Sequence, residues 1–140
     1  MSKVAVVYWS GTGNTQAMAE AVAAGAKAAG AEVSVLLPGE FSAAQVAEYD
    51  AIAFGCPSMG AEVLEECEFE PMFSDCESAL NGKKIALFGS YGWGDGEWMR
   101  DWNDRCRGLG AVMACEYVIC NEMPNSGELE QCKALGAALV

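Results

Sequence analysis

The chain has 140 residues, a mass of 14.7 kDa and a formal net charge of -12, with 52% hydrophobic residues, seven cysteines and no histidine. That length suits one core and leaves no room for a second catalytic domain, and so negative a surface repels nucleic acid and anionic membranes. Scattered thiols without a Cys-x-x-Cys pair, and no imidazole, argue against a disulfide framework, iron–sulfur or zinc ligation and histidine acid/base catalysis.

The run from Val4 to Tyr8 is apolar throughout and predicts a strand buried on both faces. Ser10-Gly11-Thr12-Gly13-Asn14-Thr15 follows, and an alanine-rich helix is predicted from Asn14 to Ala29, stopping near Gly30. Glycines let such a loop turn tightly and bring its N–H groups close to a ligand, while the helix start supplies a positive dipole. Ser10, Thr12, Asn14 and Thr15 add side-chain donors. The loop has no Lys or Arg, no Walker-type lysine and no third glycine of a dinucleotide fingerprint, so its donors suit the monophosphate of a mononucleotide. A plain Ser/Thr-capped helix start is the structural alternative.

Val33 to Leu37 predicts the second strand, 43–48 a short helix and Ala51 to Gly55 the third strand. The next loop reads Gly55-Cys56-Pro57-Ser58-Met59-Gly60-Ala61-Glu62. Gly60 takes positive φ at no steric cost, so the Met59–Gly60 peptide is expected to turn over between two orientations. A helix over 66–79 and a strand from Lys84 to Gly89 come next. In Gly89-Ser90-Tyr91-Gly92-Trp93-Gly94-Asp95-Gly96, four glycines alternate with two aromatics, which suits a backbone lying close to a flat ligand with a ring stacked on it. Trp93, flanked by glycines, is assigned to stacking; Phe88, Trp98 and Trp102 are assigned to the core or a helix face. A helix over 97–108, a strand from Val112 to Cys120 and a helix over 127–139 complete the chain.

Strands alternating with helices predict an α/β fold: a doubly wound, five-stranded parallel sheet with helices on both faces. Ligands in such sheets bind beyond the carboxyl ends of the strands, so the loops after the first, third and fourth strands are expected to converge on one site.

Together the three loops resemble the short-chain flavodoxins, over essentially the whole chain. Ser10-Gly11-Thr12-Gly13-Asn14-Thr15, Met59-Gly60 followed by Glu62, and Ser90-Tyr91-Gly92-Trp93-Gly94-Asp95-Gly96 carry the resemblance. It implies the strand order 2-1-3-4-5, for which flavodoxin is itself the standard example, and one non-covalently bound flavin mononucleotide (FMN). By resemblance, the first loop binds the FMN phosphate, Met59 and Trp93 cover the two ring faces, and Glu62 accepts from the flavin N3–H. Pro57, Ser58, Gly60, Ala61, Tyr91, Gly92 and Gly94 complete the cofactor loops, with Ser90 and Asn121 at the ribityl chain or ring edge. Two positions depart from the family pattern: Ala61, where an acidic or polar residue often follows the glycine, and Pro57, where some relatives offer a hydroxyl.

The implied activity is low-potential one-electron transfer between redox enzymes, cycling mainly between flavin semiquinone and hydroquinone, with no substrate of its own. A carbonyl swung toward N5 favours the form that carries an N5–H. The acids Glu62, Glu65, Glu66, Glu68, Glu70, Asp95 and Glu97 disfavour the anionic reduced form, each by on the order of 1 kcal/mol at about 10 Å. Between residues 28 and 82 stand eleven acidic side chains and no Lys or Arg, so redox partners are expected to dock on an acidic face around the flavin edge. The alternative is an FMN-dependent reductase with a small-molecule substrate. A response-regulator receiver needs acids where this chain has Trp9-Ser10 and Cys56-Pro57. No apolar run reaches the roughly 18 residues of a spanning helix, since Lys27, Gly30 and Glu32 interrupt residues 21–37. A cytoplasmic monomer is expected.

Overall fold

Side chains alternate across the central strands so that each face of the sheet receives its own half of the core. The computed structural model describes residues 2–140. Its strands are β1 (Lys3–Tyr8), β2 (Glu32–Leu36), β3 (Ala51–Gly55), β4 (Lys84–Tyr91), β5 (Val112–Met113) and β6 (Val118–Asn121), all paired in parallel in the order β2-β1-β3-β4-β5, with β6 also on β4. The helices are α1 (Asn14–Ala28), α2 (Ala43–Val46), α3 (Phe69–Cys76), α4 (Glu97–Gly108) and α5 (Ser126–Ala138). This is the expected doubly wound sheet.

On one face, Val7, Ile52, Phe54, Ile85 and Leu87 meet Phe69, Phe73, Trp98 and Trp102. There Phe69 and Phe73 lie nearly parallel to each other and each packs edge-on against Trp102. On the other face, Val4, Val6, Ala51, Ala53, Ala86 and Phe88 meet Met18 and Val22 of α1 and Cys132 and Leu135 of α5. The helices on this second face lie backbone to backbone: a Cβ on Gly25 would run into the Lys133 carbonyl, and one on Gly136 into the Val22 carbonyl. Phe88, Trp98 and Trp102 are all core residues, as expected.

Two elements differ from expectation. The predicted last strand, Val112 to Cys120, is broken in two: Met113 pairs with Ile85 and Val118 with Phe88, so four residues, 114–117, stand opposite two on β4. This is the edge of the sheet, where continuous pairing is not demanded and a bulge discourages edge-to-edge association. The predicted helix over 66–79 begins only at Phe69 and ends in a 3-10 turn over Glu77–Ala79. Its start is set by Glu65, whose carboxylate accepts from the amides of Cys67, Glu68 and Phe69 at 2.8, 2.7 and 2.8 Å. Among the described residues, no helix is long and apolar enough to cross a membrane.

Candidate functional site

The loops after β1, β3, β4 and β6 enclose a cavity of about 550 Å³ at the carboxyl end of the sheet, in the range of small-ligand sites. Its walls are Trp9, Gly11, Thr12, Asn14, Pro57, Ser58, Met59, Ser90, Tyr91, Gly92, Trp93, Glu122 and Met123. The three predicted loops therefore converge as expected, and a fourth, after β6, joins them.

In the first loop, Gly11, Thr12 and Asn14 face the cavity, while their neighbours shape the turn. The Ser10 hydroxyl accepts from the amides of Gly13 and Gln16 at 3.1 and 3.2 Å, which shapes the loop and leaves its O–H as a donor. Thr15 is buried, and its hydroxyl lies 3.1 Å from that of Ser90, tying the first loop to the third. Of the first-turn amides of α1, those of Asn14 and Thr15 have no acceptor among the described residues and remain its free donors.

In the second loop, pairing with β4 continues past β3: Cys56 N–H donates to the Phe88 carbonyl at 3.1 Å and Ser58 N–H to the Ser90 carbonyl at 3.0 Å. Met59 and Val63 then form an antiparallel bridge that closes a tight turn over Gly60, Ala61 and Glu62. Gly60 has φ +53 and Glu62 φ +57; the first suits glycine, whereas the second is an uncommon conformation for a side chain of this size. The bridge corrects the expected peptide motion. The Met59 carbonyl accepts from Val63 N–H at 2.9 Å and cannot turn without breaking the bridge. The Gly60 carbonyl is held only by the Trp93 indole N–H, at 3.1 Å, among the described residues. The peptide with freedom to turn is Gly60–Ala61.

Several predicted residues do not reach the cavity wall. Gly60, Ala61, Glu62, Gly94 and Asn121 lie off it, as do Ser10, Gly13 and Thr15. Glu62 instead accepts from the Glu97 amide at 3.2 Å, at the amino end of α4, where the helix dipole favours a carboxylate. Gly94 lies against that carboxylate, which a Cβ there would displace. Asn121 is the last residue of β6, paired with Tyr91. Sequence reasoning missed Trp9, Glu122 and Met123. Trp9 directly follows a strand at the binding end of the sheet, a position that itself was a signal. Glu122 and Met123 follow β6, whose end was read only as the close of a long strand. Glu122 has φ +58 and donates its amide to the Tyr91 carbonyl at 2.8 Å, which leaves Met123 71% exposed at the rim.

The sequence model of the flavodoxin family matches residues 6–136. The chain belongs to the flavodoxin family. It is 48% identical over 135 residues to a flavodoxin of Megasphaera elsdenii, covering 96% of each chain, and 45% identical over 123 residues to one of Clostridium beijerinckii, covering 88% of this chain and 89% of the other. The solution structure of two-electron reduced Megasphaera elsdenii flavodoxin superposes with a TM-score of 0.89 at 48% identity, covering 97% of each chain. The chain is accordingly an FMN-binding electron carrier that works with redox partner proteins, and not a substrate-converting enzyme.

The cavity fits that cofactor. Ser58, a residue of the cavity wall, is 3% exposed, and its hydroxyl has no hydrogen-bond partner among the described residues, which leaves it able to bond a polar ligand or a water. Trp93, by contrast, is 52% exposed beside the cavity, a large apolar surface that stacking would cover.

Of the seven carboxylates expected to act on a flavin, three are tied down by ion pairs or by several amides, and Glu62 by a single amide. Glu70 pairs with Arg105 at 2.7 Å, and that guanidinium holds its pKa below the ordinary range against the effect of partial burial. Burial works to raise the pKa of Glu65, but the amides of Phe69, Glu68 and Cys67 outweigh it and leave the carboxyl below the usual range. Asp95 pairs with Arg100 at 3.0 Å on the surface. Glu66, Glu68 and Glu97 remain exposed, with Glu62 partly so. No cluster of metal-ligating side chains occurs among the described residues.

Proposed function

We propose that the cavity holds FMN with its phosphate on the loop Ser10–Thr15 and its ring between Met59 and Trp93. The Asn14 and Thr15 amides, with the Thr12 and Asn14 side chains, serve as neutral phosphate donors; the Ser10 and Thr15 side chains and the turn at Gly13 keep the loop in shape around them. Pro57, Ser58, Ser90, Tyr91 and Gly92 line the remaining wall, with Ser58 offering its free hydroxyl to the ligand. Glu62, whose Oε1 takes the Glu97 amide, keeps Oε2 for the ring edge, and Gly60, Ala61, Gly94 and Asn121 shape the loops beside the wall. Bound FMN supplies one-electron chemistry, while the protein supplies position and electrostatics.

The unpaired carboxylates Glu62, Glu66, Glu68 and Glu97 support a low potential. At on the order of 1 kcal/mol each, and about 59 mV per tenfold change in a one-electron equilibrium, four of them lower the second potential by on the order of 100 mV after screening. The exposed apolar rim of Trp93 and Met123, set among Glu62, Glu97 and Glu122, supports docking of basic redox partners around the cofactor edge. The whole chain, 1–140, acts as one FMN-binding domain, as a monomer in the cytoplasm.

One observation carries this reading: Ser58 on the wall, its buried hydroxyl without a partner among the described residues, in a cavity flanked by an exposed tryptophan. Titrating FMN into apoprotein tests it. Binding should quench the flavin fluorescence with one-to-one stoichiometry; fluorescence that stays unquenched at any ratio refutes it.

A further inference from the structure

The indole N–H of Trp93 donates to the Gly60 carbonyl across the mouth of the cavity, at 3.1 Å. Burial does not require this bond, since Trp93 is half exposed and water could satisfy its N–H. It is nevertheless the one hydrogen bond among the described residues that restrains the Gly60–Ala61 peptide. The carbonyl before it is held by Val63 N–H, whereas neither the Gly60 carbonyl nor the Ala61 N–H has any other protein partner among the described residues. Gly60, at φ +53, sits where a glycine can swing its following peptide with little steric cost.

We propose that the Trp93 indole N–H is a positioning group that holds the Gly60 carbonyl toward itself and so sets how readily that carbonyl is offered to N5 of bound FMN. The inference rests on the FMN reading above. Oxidised flavin has only a lone pair at N5, which a carbonyl oxygen repels. Taking one electron from a redox partner protein and one proton from solvent places a hydrogen on N5, which a carbonyl can accept. Turning the Gly60–Ala61 peptide toward that hydrogen costs the exposed bond to Trp93, so the indole opposes the first one-electron step. The same side chain thus acts twice, its ring face covering the flavin and its edge restraining the peptide that answers reduction.

Trp93→Phe separates the two roles, keeping an aromatic face and deleting the donor. With both one-electron potentials measured at saturating FMN, the first is expected to rise because the carbonyl is freed. A hydrogen bond of ordinary net strength is a factor of about five, or about 40 mV for a one-electron couple, with the second potential shifting less because N5 carries its hydrogen on both sides of that step. A first potential that is unchanged or lower overturns the inference while leaving FMN binding intact. Hydrogen exchange of the Trp93 indole N–H in the wild-type, FMN-loaded protein gives an independent reading. Exchange slowed in the oxidised form and faster in the fully reduced form supports the inference; equal rates overturn it, even if the variant fails to hold FMN. Failure of the wild-type apoprotein to bind FMN sinks the cofactor reading instead.

Discussion

Replacing Ser58 with alanine should move the apoprotein and the FMN complex in opposite directions. In the apoprotein the Ser58 hydroxyl is buried without a partner, and such a group costs about 1 to 3 kcal/mol relative to an apolar replacement. The Ser58→Ala apoprotein should therefore be more stable by about 1 kcal/mol, which at a typical slope moves the urea midpoint up by about 0.5 M. In the complex, the same hydroxyl meets a ligand polar group, worth about 1 kcal/mol net. The two terms add in the affinity, so FMN should bind weaker by about 2 kcal/mol, roughly 30-fold. Urea unfolding of apoprotein and fluorescence titration with FMN measure the two halves separately. An apoprotein that loses stability, or an affinity within twofold of the wild type, would show that Ser58 is satisfied without the ligand and remove it from the site.

Trp93→Ala should weaken FMN by about 1.5 kcal/mol, roughly tenfold, and restore part of the flavin emission; unchanged affinity and quenching would take Trp93 off the ring. Acid should destabilise the fold through Glu65 and Glu70, both held below the ordinary carboxyl range. A depressed folded-state pKa contributes stability that is full above the unfolded value of about 4.3 and is lost as pH falls through the folded value. The urea midpoint should drop between about pH 5 and pH 3, and less steeply in Glu65→Gln and Glu70→Gln; equal slopes in all three proteins would refute the assignment. Alkylation should label Cys67 first, because it alone among the seven thiols is exposed, whereas burial pushes Cys120 and Cys132 up to about 12. Mass spectrometry showing a buried thiol modified at the same rate in folded protein would contradict the packing.

The elements that were legible in the sequence are those whose cause is local. The strand from Val4 and the helix over 97–108 follow from apolar runs and periodicity, and the structure has β1 and α4 at those places. The binding end of the sheet was legible too, because donors, glycines and aromatics crowd only into loops that follow strands. What failed did so for two different reasons, one set by the sheet and one by a side chain competing with the helix for its amides. The long last strand breaks because it lies at an edge. The helix over 66–79 starts late because a buried glutamate one turn earlier takes three of its amides.

The amino-acid sequence by itself determined the architecture, the carboxyl-end loops and the chemistry they can offer, since propensity, periodicity and turn residues act over a few positions. Only the tertiary structure decided which of those side chains face the cavity. Thr15 is spent on Ser90, seventy-five residues away, Glu62 on the Glu97 amide, Glu70 on Arg105 and the Gly60 carbonyl on Trp93. A hydrogen bond or ion pair is assigned by proximity in the folded chain, and no local pattern records which of several competing donors arrives at an acceptor.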